Sequence, residues 1–253
     1  MKNLLSLLSC LVALLQTSSA QPPATPVSLT DAEEIRLGQI LADQFAQEEG
    51  MAPTPQTKKL DEYLQTVGDR VAVHAQRKLP YQFHFDPSPG FKSAFGLPGG
   101  QIFVGAGILA YIDTEDQLAA VLGHEVEHVA LNQCRDRLIK QLSEQHLSLE
   151  EAGALDPKQP GMRKLKVDPF LPGYGHDNEF AADREGVTLA MEAGYSPEAA
   201  IRLLQTYVIL GEQMPNTPKE AKANLEDRIA QIRTLSASSK LPRPAAETPL
   251  ALP

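Results

Sequence analysis

The stretch GHEVEHVALNQC, residues 123–134, decides how this chain is read. It carries two histidines four residues apart, His124 and His128, with Glu125 directly after the first. On a helix, residues at this spacing stand one above the other on one face, so both imidazoles can turn to a single ion. Glu125 then lies beside the first ligand, in reach of a water on that ion, which is the mechanical basis of H-E-x-x-H in zinc proteases. Leu122 and Val129 flank the motif with apolar side chains, so the helix belongs to a core, and histidines buried there need partners. A catalytic zinc takes three protein ligands and keeps one position open. The stretch supplies two.

One known solution places a glycine three residues and a histidine six residues after the second histidine. Leu131 and Cys134 occupy those positions here. Without the glycine the helix is expected to continue, to about Ser143. That carries Cys134 roughly 9 Å along the axis from His128 and well around the cylinder. Cys134 then reads as a small buried apolar residue. The other solution takes a carboxylate from a separate helix. HDNEFAADREG, residues 176–186, puts Glu179 and Asp183 on one helical face. Glu179 could ligate, and Asp183 could accept the free ring N–H of a ligand histidine. Ala182, Gly186 and Ala190 keep that face small enough for close packing. On chemistry alone, a solvated acidic face explains the pair equally well.

Around these motifs the 253-residue chain has the composition of a globular domain, with 42% hydrophobic and 22% charged residues. A net charge of −9 argues against nucleic acid as a partner, because binding phosphates needs a basic face. Residues 1–20 place Lys2 before an apolar run from Leu4 to Leu15 and end in small residues at Ala20, the layout of a secretory signal peptide. The run is too short to span a bilayer comfortably. It also continues past Cys10, which argues against a lipid anchor there. Cleavage leaves Cys134 as a lone thiol, so no internal disulfide is expected.

Residues 21–29 read as a Pro-rich linker. Helix starts are expected at Thr30 with Glu33, at Thr114 with Gln117 and at Ser148 with Glu151, each pair spaced as a capping box. YQFHFD (81–86) alternates as a half-buried strand, and Gly99-Gly100 marks a turn before a short strand at Gln101–Val104. Residues 156–175 hold four Pro and three Gly and read as a long loop, of the kind that is functional or disordered. In it, Phe170, Leu171 and Tyr174 could plug the cleft as a mobile lid, while Arg163, Lys164 and Lys166 form a basic run. The Pro-rich tail, 237–253, is expected to be disordered.

The order of motifs settles what chemistry leaves even. HEVEH (124–128) followed on a later helix by EFAAD (179–183) resembles the M-forty-eight family of zinc metallopeptidases, which includes HtpX-like, BepA-like and CAAX-prenyl-protease-like enzymes. SAFGLPGGQIFVGAGIL (93–109) and DAEEIRLGQILADQF (31–45) resemble the segments that precede the motif helix in that family. The resemblance implies an α+β, mostly helical, zincin-like (gluzincin) domain over residues 30–236, with a small sheet beside the active-site helix. It implies one Zn2+ per chain on His124, His128 and Glu179, with Glu125 as catalytic base and Asp183 behind the ligands. Arg228, His176 and Tyr174 are candidates for a second donor to the transition state. Gln101, Ile102 and Phe103 are candidates for an edge strand that pairs with an extended substrate. Lys222 stands where many exported members carry a regulatory histidine, so no histidine switch is expected.

The function implied is a zinc endopeptidase cleaving extended or misfolded proteins, exported to the periplasm of a Gram-negative bacterium, with no spanning segment after signal cleavage. The alternative is a zinc-stabilised binding or chaperone-like protein without turnover.

Overall fold

The computed structural model describes residues 29–153, 167–168, 174–213 and 219–253. The expected signal segment, Cys10 and residues 21–28 of the linker lie outside the described residues, as do Arg163, Lys164, Lys166, Phe170 and Leu171 of the expected lid.

Two helices open the domain. Helix α1 (Asp31–Glu48) starts at a full capping box between Thr30 and Glu33. Helix α2 (Pro55–Ala72) starts with Thr54 as cap and Pro55 in the first turn, where a missing N–H costs nothing. Strands β1 (Gln82–Asp86), β2 (Ala94–Leu97) and β3 (Gln101–Gly105) form a three-stranded sheet in the order β1-β3-β2. β1 runs parallel to β3, and β2 antiparallel to it. The turn between β2 and β3 needs Gly99 at φ 74, where a Cβ would meet Ile35 Cα at 2.5 Å. Short helix α3 (Ala106–Leu109) leads to the motif helix α4 (Glu115–Ala130), which begins at the Thr114–Gln117 capping box. Then follow α5 (Gln133–Glu144), α6 (Leu149–Gly153), α7 (His176–Glu192), α8 (Pro197–Gln213) and α9 (Lys219–Ser238). The architecture is mostly helical with a small sheet, as the sequence reading expects.

Helix α4 is the axis of the core. Leu118, Leu122, Val126 and Val129 are fully buried among the apolar faces of α2, β1 and β3. On the other side of the sheet, Phe45 of α1 meets Phe95 of β2 and Phe103 of β3 edge-on at 4.9 and 4.8 Å. Glu34 is wholly buried in α1 and is compensated fully. Arg77 and Arg135 each donate to it at 2.5 Å, and the Gly99 amide at 2.9 Å. This cluster fixes α1 to the β2–β3 turn and to the start of α5.

Three expectations are corrected. The helix of the motif does not run to Ser143. It ends at Ala130, and Asn132 takes a left-handed conformation (φ 63) before α5 restarts the chain. Asn is among the few residues besides Gly that enter this region readily, so the break needs no glycine. Gln101, Ile102 and Phe103 are not at an edge. Their strand is the middle one, paired on both sides and buried throughout, so no substrate can add to it. The edge strands are β1 and β2, and the one that lines the cleft is β2, which the sequence reading passes over. Finally, the tail is laid against the body. The Glu115 amide donates to the Thr248 carbonyl, the Leu250 amide to the Asp113 carbonyl and the Thr248 amide to buried Asp116. Glu247 pairs with Arg202, and Arg243 with Glu198. Proline lowers the entropy of the free segment, so the same residues that look like a disordered tail cost less to order.

Candidate metal centre

Helices α4 and α7 bring the site together. At their crossing, Gly123 and Gly186 face each other. A Cβ on Gly123 would lie 2.5 Å from the Gly186 carbonyl oxygen, and one on Gly186 would lie 2.6 Å from the His124 amide nitrogen. Only two glycines allow main chain to meet main chain here. That contact carries Glu179, two turns earlier on α7, to the paired histidines.

His124 Nε2, His128 Nε2 and a Glu179 carboxylate oxygen converge within 4.8 Å of one another. The two nitrogens are 2.9 Å apart, and Glu179 lies 3.5 Å from His124 and 3.7 Å from His128. Ligand atoms about 2.1 Å from a tetrahedral zinc stand about 3.4 Å from each other, so these separations fit the ion. Two imidazoles and a carboxylate are also the donor set of one class of catalytic zinc centre.

Behind the ligands, His124 Nδ1 lies 2.9 Å from Asp183 Oδ1, off the ideal hydrogen-bond direction. Arg228, from α9, grips Asp183 with two donors at 2.5 and 2.8 Å and reaches Glu179 at 3.0 Å. Burial alone would raise the Asp183 carboxyl, but Arg228 and His124 hold it well below the usual carboxylate range. Burial pushes the His128 imidazole down, and the neighbouring His124 pushes it further, which favours the neutral ring that a metal needs. His128 Nδ1 stands 2.6 Å from Gln133 Oε1.

Glu125 is buried beside the ligands. Burial raises its carboxyl to about 7, against the pull of His124 and a hydrogen bond from the Gly96 amide of β2. The centre forms the floor of a cleft of about 290 Å3. One wall is β2, with Ala94 and Phe95, and Ser93 just before it, and the other is α8, with Leu203, Leu204 and Tyr207.

The structure thus gathers His124, Glu125, His128, Glu179, Asp183 and Arg228 at one place. Arg228 is engaged by Glu179, one of the candidate ligands, and by Asp183 behind them. Tyr174 also lines the cleft, stacked on the His128 ring at 4.0 Å, but its hydroxyl meets Cys134 Sγ at 3.0 Å. His176 stacks on Phe180, bonds Asp177 and stays half exposed, away from the cleft lining. Cys134 is buried between Tyr174 and the Gly96 carbonyl and does not join the ligands, even though the helix breaks before it. Gln133, Gly123, Gly96 and Tyr207 were missed by the sequence reading. Of these, only Gly123 left a signal, as a glycine adjoining the motif.

Comparison with known proteins agrees with this geometry. Residues 58–236 match the model of Peptidase family M48. The chain is similar to the beta-barrel assembly-enhancing protease of Escherichia coli (strain K12), 27% identical over 193 residues that cover 70% of this chain and 38% of that protein. It is also similar to the mitochondrial metalloendopeptidase OMA1 of Schizosaccharomyces pombe, 30% identical over 170 residues that cover 66% of this chain and 50% of that one. It therefore spans half or less of the length of these relatives. With the family model matched across most of its length and the ligands of both motifs converging, the chain belongs to peptidase family M48, a family of metallopeptidases.

Proposed function

We propose that the protein is a zinc-dependent endopeptidase that hydrolyses peptide bonds of extended or misfolded proteins, with Glu125 as its general base. The observation that carries this reading is the convergence of His124, His128 and Glu179 beside buried Glu125 on the floor of an open cleft. Zinc held by these three residues would polarise the scissile carbonyl and acidify a water.

Glu125 takes the proton of the attacking water and passes it to the leaving amine. A carboxyl poised near 7 suits both transfers, accepting readily and releasing readily. Developing negative charge on the carbonyl oxygen needs a further donor. Tyr207 is suited to it, because it lines the cleft, and burial and the charge of Glu125 keep its hydroxyl protonated. The outer edge of β2 offers main-chain pairing to an extended substrate at Ala94, while the Gly96 amide is already held by Glu125. Main-chain pairing is indifferent to side chains, which suits substrates that have lost their fold.

The N-terminal signal pattern and the similarity to a beta-barrel assembly-enhancing protease support a place in the bacterial envelope. No helix among the described residues is long and apolar enough to cross a membrane.

Glu125→Gln should keep the zinc content of the wild type and lose casein cleavage by about 10^2- to 10^4-fold. Equal cleavage by the two forms would sink the mechanism. A wild type that binds zinc yet cleaves no unfolded protein would favour a binding or chaperone-like role.

A further inference from the structure

The two histidines of the site are backed by different chemistry. His124 faces a carboxylate, Asp183, which Arg228 neutralises in turn. His128 faces a neutral amide: its Nδ1 stands 2.6 Å from Gln133 Oε1, and both side chains are buried. Gln133 reaches it because the chain breaks at Asn132. On an unbroken helix, five residues turn the chain about 140° past a full circle, which would aim residue 133 away from His128.

The orientation of an amide is read from its partners. Gln133 Nε2 lies 3.4 Å from the carbonyl oxygen of Asn178. A carbonyl only accepts, so the amino end must face it. The oxygen end then faces His128, and the hydrogen of that ring must sit on Nδ1. The lone pair is left on Nε2, the atom turned toward His124 and Glu179. Asn178 directly precedes Glu179. One side chain therefore ties the second histidine to the peptide next to the third ligand.

We propose that Gln133 is a positioning residue: it fixes His128 in the Nδ1-protonated tautomer, holds it in register with Glu179, and so sets the zinc affinity of the site. This rests on His124, His128 and Glu179 forming a zinc site. A neutral amide orients His128 without lending it negative charge, so His128 is the more weakly backed histidine.

Two variants test it in the full-length protein. Gln133→Met keeps length and bulk but removes the acceptor. Gln133→Glu keeps an acceptor and adds charge. Multiple-bond nitrogen–proton correlation spectra of the metal-free protein read the tautomer of His128, chelator competition reads the zinc Kd, and circular dichroism checks the fold. The wild type should show hydrogen on Nδ1. The Met variant should shift toward Nε2 and bind zinc about 10- to 100-fold more weakly. The Glu variant should keep the wild-type tautomer and bind zinc at least as tightly. Hydrogen on Nε2 in the wild type overturns the proposal, as does a Met variant with the wild-type Kd. If the Met variant does not fold, a Glu variant with weaker zinc or a changed tautomer overturns it. A wild type that takes up no zinc would refute the metal reading instead, and its metal-free spectra would still decide the role of Gln133.

Discussion

At the scale of single residues, the cleft separates groups already engaged from groups still free to act. Arg228 and the Tyr174 hydroxyl are engaged, whereas Tyr207 lines the cleft with its hydroxyl held protonated by burial and by the charge of Glu125. Tyr207→Phe should therefore lower kcat by about 10^2-fold while zinc content and KM change little, as expected for a donor used only in the transition state. Cleavage kinetics on a quenched peptide check this. Cys134 behaves in the opposite way. Burial raises its thiol from 9.0 to about 12, only partly offset by Tyr174. It should resist iodoacetamide at pH 8 until the protein is unfolded. The sign for stability follows from proton binding. The unfolded thiol loses its proton near pH 9 and the folded thiol keeps it to about 12, so this contribution is whole below 9 and fades as pH rises beyond it. Urea midpoints at pH 8 and 10 should differ more for the wild type than for Cys134→Ala. The paired histidines were legible in the sequence because their spacing is geometry, whereas Glu179 was singled out only by the resemblance to a family. Gln133 was not legible, since its aim depends on a left-handed residue that no spacing rule announces.

At the scale of elements, the decisive contact is the crossing of α4 and α7 at Gly123 and Gly186. The small face of α7 could be read from Ala182, Gly186 and Ala190, but its glycine partner on α4 could not, because pairing is set by tertiary packing. Gly186→Ala would place a methyl 2.6 Å from backbone atoms of residues 123 and 124, so the helices must part. The expected cost is about 1–3 kcal/mol, with weaker zinc binding as Glu179 withdraws. Chemical denaturation and chelator competition measure the two effects. The sheet was half legible. β1 and β3 show in their alternation and turn, whereas β2 contains Gly96 and carries too little side-chain pattern to be seen.

At the scale of the whole molecule, the tail closes the chain back onto the start of the motif helix. Its backbone bonds reach Asp113, Glu115 and Asp116, and Gln56 of α2 bonds the Pro253 carbonyl. Each such bond contributes about 1 kcal/mol, offset in large part by the entropy of ordering the segment. Removing residues 240–253 should therefore lower Tm by a few degrees, at about 2–4 °C per kcal/mol, without changing zinc stoichiometry. Scanning calorimetry decides it, and an unchanged Tm would mean that the tail lies on the body without supporting it. Composition hid this tail, since proline and small residues look alike whether a segment is loose or laid down along a groove of hydrogen bonds. The meeting of Gly123 with Gly186 has a consequence for heredity. Each position is policed by the other's main chain, which no codon can alter. A larger residue at one cannot be accommodated by a smaller residue at the other, so a selection for revertants of Gly186→Ala should return glycine itself and yield no second-site suppressor at position 123.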